Sequence, residues 1–275
     1  MASYLQLMRM AAANRGWKFD VVNSTSIAGV VSTLTGETIT VHWGDGTNNT
    51  YSGTDQAYSH NYGSAGNRVV TVTNHNALTE LTMTTAGACL SFTLASMPRS
   101  MIYLALYGTS STITGALSDL PSGMTTLALG STSSTITGAL SDLPSGMIYL
   151  ALYGTSSTIT GALSDLPSGM TTLALGSTSS TITGGGSVVA AKGIREIYIQ
   201  NTSLSQANVD SVLLRLYTDR TLFTYATPVL NIGGTNDDPS GTYQDADPPT
   251  TGNEYRYELV NDPETEGFNK WAITV

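Results

Sequence analysis

Charge is what this sequence has least of. Only 11% of its residues are Asp, Glu, Lys or Arg, against about 25% in typical soluble domains. Between residues 101 and 183 there is no Lys, Arg, Glu or His. The formal net charge is −9, from 11 basic and 20 acidic residues. Nucleic-acid binding needs a basic stripe that releases counterions, so no nucleic-acid partner is expected. The same deficit argues against anionic membrane surfaces. Cysteine is nearly missing too. Cys89 stands alone, which excludes an intramolecular disulfide and leaves stability to packing. No apolar run approaches the ~18 residues that a membrane-spanning helix needs, so membrane insertion is not expected. The first ten residues, whose apolar run is broken by Gln6 and Arg9, do not read as a secretory signal.

These absences do not add up to disorder. Apolar residues make up 40% of the chain, and disordered chains are poor in them. Serine, threonine and glycine take the place of charge, and they are organised in a repeat. Residues 101–123 read MIYLALYGTSSTITGALSDLPSG, and residues 124–146 read MTTLALGSTSSTITGALSDLPSG. Residues 147–169 copy the first unit letter for letter, and residues 170–184 restart the second. The full period is therefore 46 residues, one Tyr-type and one Thr-type unit of 23 each.

With Met101 as position 1, Leu104 and Leu106 alternate with Tyr103, Ala105 and Tyr107, the pattern of a short strand. Gly108-Thr109-Ser110 turns the chain away. Ile113, Leu117 and Leu120 are spaced to point back inward, and Pro121-Ser122-Gly123 makes the last turn. One such unit cannot bury its apolar face, but a stack of them buries a shared one. Seven units are expected, starting near residues 78, 101, 124, 147, 170, 194 and 227. Val209, Val212, Leu213 and Leu216 recur at helical spacing behind Ser205, a suitable N-cap. Residues 236–253 read as an irregular loop, and residues 255–260 and 270–275 as a closing β-hairpin. Residues 2–13 read as a short helix.

Few residues suggest chemistry. His42 alternates with buried neighbours on a strand, and His60 and His75 lack partners at metal-ligand spacing. Asp119, Asp142 and Asp165 form a column, one per turn. They read as turn caps that accept backbone N–H groups, because a calcium ladder would need more oxygens per ion. Asp237, Asp238, Asp245 and Asp247 lack the spacing of a calcium loop. No Gly-x-Ser-x-Gly elbow stands in a strand–turn–helix context, and Cys89 reads as a small core residue. No enzyme activity, metal or cofactor is expected.

The unit L-x-x-L-x-L-x-x-T-x-x-x-I-T-G-x-L resembles the leucine-rich repeat. Threonine stands at Thr109, Thr132, Thr155 and Thr178, where that family carries an asparagine tying neighbouring turns together. A threonine hydroxyl could do part of that work. A parallel β-helix is the rival architecture. Before the repeats, three alternating stretches over residues 17–73 surround Trp43-Gly44-Asp45-Gly46-Thr47 and His60-Asn61-Tyr62. These resemble the W-G-D-G-T and H-x-Y signatures of PKD-like, immunoglobulin-like sandwiches.

The expected fold is mainly β. Residues 1–76 form a helix and a PKD-like sandwich, and residues 77–236 form a right-handed leucine-rich-repeat solenoid of parallel strands. Residues 237–275 form a β-rich cap. The family resemblance implies that strand positions 3, 5 and 7 line a concave face. There Tyr103, Tyr107, Tyr149 and Tyr153 form a lattice, separated by grooves at threonine and glycine. Thr126, Thr172, Glu196, Tyr198 and Gln200 complete the expected binding surface. Tyrosine supplies rigid amphipathic contact area, although the rings could equally do no more than cover the sheet. The expected role is recognition or adhesion, with a cell-surface glycan or protein as ligand. The expected setting is extracellular, on a cell surface or a virion. The alternative is a structural spacer or an engineered repeat scaffold.

Overall fold

A computed structural model describes residues 16–83, 89–106, 111–130, 133–261 and 269–275. The helix expected over residues 2–13 lies outside them. Six strands come first: β1 (Trp17–Val22), β2 (Ser26–Thr33), β3 (Thr38–His42), β4 (Asn48–Ser52), β5 (Gln56–Asn61) and β6 (Arg68–Thr73). They pair antiparallel in two layers. The repeats then alternate between two sides of the molecule. The strands are β7 (Leu78–Met83), β8 (Cys89–Thr93), β9 (Tyr103–Leu106), β10 (Thr112–Ala116), β11 (Thr126–Ala128), β12 (Thr135–Ala139) and β13 (Tyr149–Ala151). They continue as β14 (Thr158–Ala162), β15 (Thr172–Ala174), β16 (Thr181–Thr183), β17 (Glu196–Tyr198), β18 (Val229–Asn231) and β19 (Ala272–Thr274).

The odd strands from β7 to β17, followed by β18 and β19, lie in one sheet. The even strands from β8 to β16 lie in the other. Within the array every pairing is parallel. In the first of these sheets equivalent positions face one another, so Tyr103 faces Thr126 and Thr126 faces Tyr149; in the second each strand is offset by two residues, so Thr114 faces Thr135. Each repeat sheet continues into the N-terminal layers, because β8 pairs antiparallel with β1, and β7 with β2. Among the described residues one continuous hydrophobic core extends from Trp17 to Trp271. The molecule is thus a β-rich repeat solenoid built on parallel strands.

The repeat positions explain the rung. Met101, Leu104, Leu106, Ile113 and Leu117 are completely buried, as are Met124, Leu127, Leu129, Ile136 and Leu140 one rung on. Gly115, Gly138 and Gly161 have φ of 132°, 127° and 125°, a conformation that disfavours any side chain. A Cβ there would also lie 3.1–3.2 Å from the backbone nitrogen of Leu94, Leu117 or Leu140 in the preceding rung. Position 15 is therefore glycine on two grounds. Asp119, Asp142 and Asp165 close the next turn by accepting the backbone N–H of Ala116, Ala139 and Ala162 at 2.9–3.1 Å. This is the capping role expected of the aspartate column.

The rungs are tied by hydroxyls. Thr155, Thr178 and Thr202 donate to the carbonyls of Leu152, Leu175 and Ile199 in their own rungs, at 2.6–2.8 Å. Ser111, Ser134, Ser157 and Ser180 are buried at position 11. They accept the N–H groups of Leu90, Ile113, Ile136 and Ile159 from the rung before, at 3.0–3.1 Å. Thr155 Oγ1 and Ser157 Oγ lie 2.7 Å apart. One threonine and one serine thus share the work of satisfying buried backbone groups within and between turns. At the end of the array a single side chain does both. Asn236 donates to the carbonyls of Ile199 and Ile232 and accepts from Thr202 and Leu204.

The C-terminal segment differs from the expected hairpin. Residues 255–260 belong to helix α2 (Gly252–Asn261), which packs on α1 (Gln206–Thr218). Tyr255 and Leu259 fit period 2 and helical i,i+4 spacing equally, so a short run cannot separate them. The helix start decides. Glu254 accepts the N–H groups of Thr250 and Thr251, which compensates the exposed donors and the dipole of a helix N-terminus. Residues 272–274 form β19, which pairs parallel with β18 and is the eighth parallel strand of that ten-stranded sheet. The cap is therefore mixed helix and strand. Helix α1 matches its sequence pattern, with Val209, Val212, Leu213 and Leu216 buried and Ser205 accepting from Asn208. Among the described residues no helix is long and apolar enough to cross a membrane.

Candidate functional site: the tyrosine face

The outward face of the sheet containing β7 to β19 carries two aligned rows of side chains. Position 3 gives Glu80, Tyr103, Thr126, Tyr149, Thr172 and Glu196 on successive strands. Position 5 gives Thr82, Ala105, Ala128, Ala151, Ala174 and Tyr198. The alanines face outward, yet they are only 0–7% exposed. Tyr103, Tyr149 and Tyr198 pack against them and are themselves half-buried. The tyrosines therefore lean over an alanine floor instead of standing free of the sheet.

This placement changes the phenols and their neighbours. Burial raises the pKa of Tyr103, helped by the Glu80 carboxylate and by Tyr149. Burial likewise raises that of Tyr198, helped by Glu196 and Tyr149. Both hydroxyls stay protonated and able to donate. Glu80 is held by the Ser32 hydroxyl from β2. Thr172 donates to Glu196 at 3.2 Å.

The structure brings most of the expected residues onto this face. Tyr103, Thr126 and Tyr149 are adjacent and half-buried. Tyr153 is the most open, at 44% exposure. Thr172 is buried and engaged with Glu196, so it is a shelf more than a contact. One expected groove is filled. A Cβ on Gly176 would lie 2.7 Å from Gln200 Nε2, so the Gln200 side chain occupies the space above that glycine. The buried Gln200 Oε1 has no hydrogen-bond partner among the described residues. Tyr107 lies outside the described residues.

Two other clusters are structural. His60 Nε2 lies 2.8 Å from Asp45 Oδ2, and the His60 ring stacks on Trp43 at 4.7 Å between centroids. Asp45 also accepts the Thr47 hydroxyl and N–H, which hold its carboxyl well below the usual range, with His60 adding to the effect. The tryptophan–glycine–aspartate turn is thereby pinned to β5. In the loop before α2, Asp237 accepts the N–H of Gln206 at the start of α1, which suits a helix N-terminus. Among the described residues no group of three or more His, Cys, Asp or Glu could hold a metal ion.

The chain matches no protein-family model and none of the curated proteins. The reading of its function rests on the geometry of this face.

Proposed function

We propose that this protein is a non-enzymatic recognition or adhesion module whose ligand, a cell-surface glycan or protein, lies across the tyrosine face. The observation that carries this reading is the row of tyrosines held half-buried on an alanine floor. Rings already restrained by packing lose little freedom on binding, and they offer apolar area beside a hydroxyl. An extracellular, cell-surface or virion setting goes with this role. We also read the rungs as a variant of the leucine-rich repeat, in which the threonine–serine pair replaces the family asparagine. The N-terminal layers we read as PKD-like, on the Trp43, Asp45 and His60 cluster.

The second reading is a spacer, natural or engineered, favoured by the letter-for-letter copies. One experiment separates the two. Tyr103, Tyr149 and Tyr153 are replaced together by Ala, and binding is followed on glycan and cell-surface arrays. Under the recognition reading, binding falls at least tenfold with an unchanged circular dichroism spectrum. Undiminished binding by the folded variant overturns it and leaves the spacer.

A further inference from the structure

The tyrosine face repeats every two rungs, not every one. Position 3 alternates Tyr103, Thr126, Tyr149, Thr172 on neighbouring parallel strands. Neighbouring strands are about 4.8 Å apart, so the two tyrosines stand about 10 Å apart along the array. The alanine floor beneath them does not alternate. Neither do the core leucines or the hydroxyl ties, so packing has no use for a two-rung period. The alternation is confined to the surface and asks for a partner with the same texture.

Resting on the recognition reading above, we propose that the partner is a linear, neutral polysaccharide of equatorially linked hexoses, lying along the array and across the strands. In an extended chain of this type each ring is turned over relative to the last. The chain therefore repeats every two sugars, and each sugar advances by roughly the width of one rung. Alternate rings then meet a tyrosine, and the intervening rings pass over the low threonine rungs. The apolar C–H face of a pyranose suits the π-face of a phenol, and the ring hydroxyls meet the protonated Tyr103 and Tyr198 hydroxyls. Charge points the same way. Residues 101–183 hold no Lys or Arg to pair with an anionic sugar, and Glu80 and Glu196 at the ends of the row repel one.

The test uses the full chain with cello- and manno-oligosaccharides of increasing length, measured by titration calorimetry. Affinity should climb with length and then level off. Excising one 46-residue pair, residues 124–169, should lower the plateau length by two sugars. Tyr149→Thr, a residue the alternate rungs already carry, should weaken the longest oligomer about tenfold while leaving the melting temperature close to the parent's. It keeps the question answerable if the excised chain fails to fold. A disaccharide binding as well as the longest oligomer, or no oligosaccharide binding at all, overturns the proposal. In those cases an array ligand still lost on tyrosine substitution leaves the recognition reading standing. If the tyrosines matter to no ligand, both fall.

Discussion

At position 11 of the rung a serine is buried without exposure, and its hydroxyl accepts an N–H from the rung before. A buried N–H left without a partner costs about 1–3 kcal/mol. Ser134→Ala removes the acceptor of the Ile113 N–H at a position with no solvent exposure. It should lower the unfolding free energy by about 1–3 kcal/mol in urea denaturation. A loss below a few tenths would mean that the hydroxyl ties contribute little. This residue could not be singled out from sequence. Serine is abundant in every rung, and nothing in its spacing distinguishes the buried copy from the exposed ones. The aspartate column was legible, because Leu-Ser-Asp-Leu-Pro is a turn sequence in which a carboxylate beside free N–H groups has one obvious use. The tyrosines were legible only as to face. The rings pack against the row of position-5 alanines, and that contact across strands is not visible in the linear pattern.

Among the elements, the strands of the tyrosine sheet followed from alternation, and helix α1 followed from its apolar spacing. The second sheet was missed, although a signal existed. Thr112-Ile113-Thr114 is a run of three β-branched residues, a composition that favours strands, but Gly115 and the turn around it masked the short stretch. Helix α2 was missed because its short apolar pattern fits a strand equally well, although the capping-box sequence Thr251-Gly252-Asn253-Glu254 marks its start. Glu254 accepts the Thr250 N–H and hydroxyl, the Thr251 N–H and a Gln244 amide hydrogen. The backbone bond from Thr250 is the largest influence, and together these bonds pull its pKa from 4.5 to about 2. A carboxylate whose pKa is depressed in the folded state stabilises above the unfolded pKa and loses that effect as pH falls through the folded value. The stability gap between the parent and Glu254→Gln should therefore be constant above about pH 5 and close between pH 4.5 and about 2. Acid titration of both proteins, followed by tyrosine fluorescence, checks this. A gap independent of pH would remove Glu254 from the account.

On the scale of the whole molecule, the array needs its ends. Parallel strands expose unpaired N–H and C=O groups at each terminus of a sheet, which invites edge-to-edge association. Here β1 and β2 cover β8 and β7 with antiparallel partners, and α1 packs beside β16. Deleting residues 16–76 should turn the protein into concentration-dependent aggregates in light scattering. A monodisperse truncated chain would show that the array caps itself.

The copied pairs have one more effect, on how the chain finds its own pairing. Since residues 101–123 and 147–169 are identical, an unfolded molecule cannot tell one Tyr-type rung from the other. A strand that docks one pair out of place makes the same local bonds as the native one and pairs its leucines equally well. Only the two unique ends reveal the slip, the first through β7 and β8 and the last through Glu196 and Tyr198. The order of the coils is therefore written at the borders of the array, and correct threading depends on residues that lie outside the repeat.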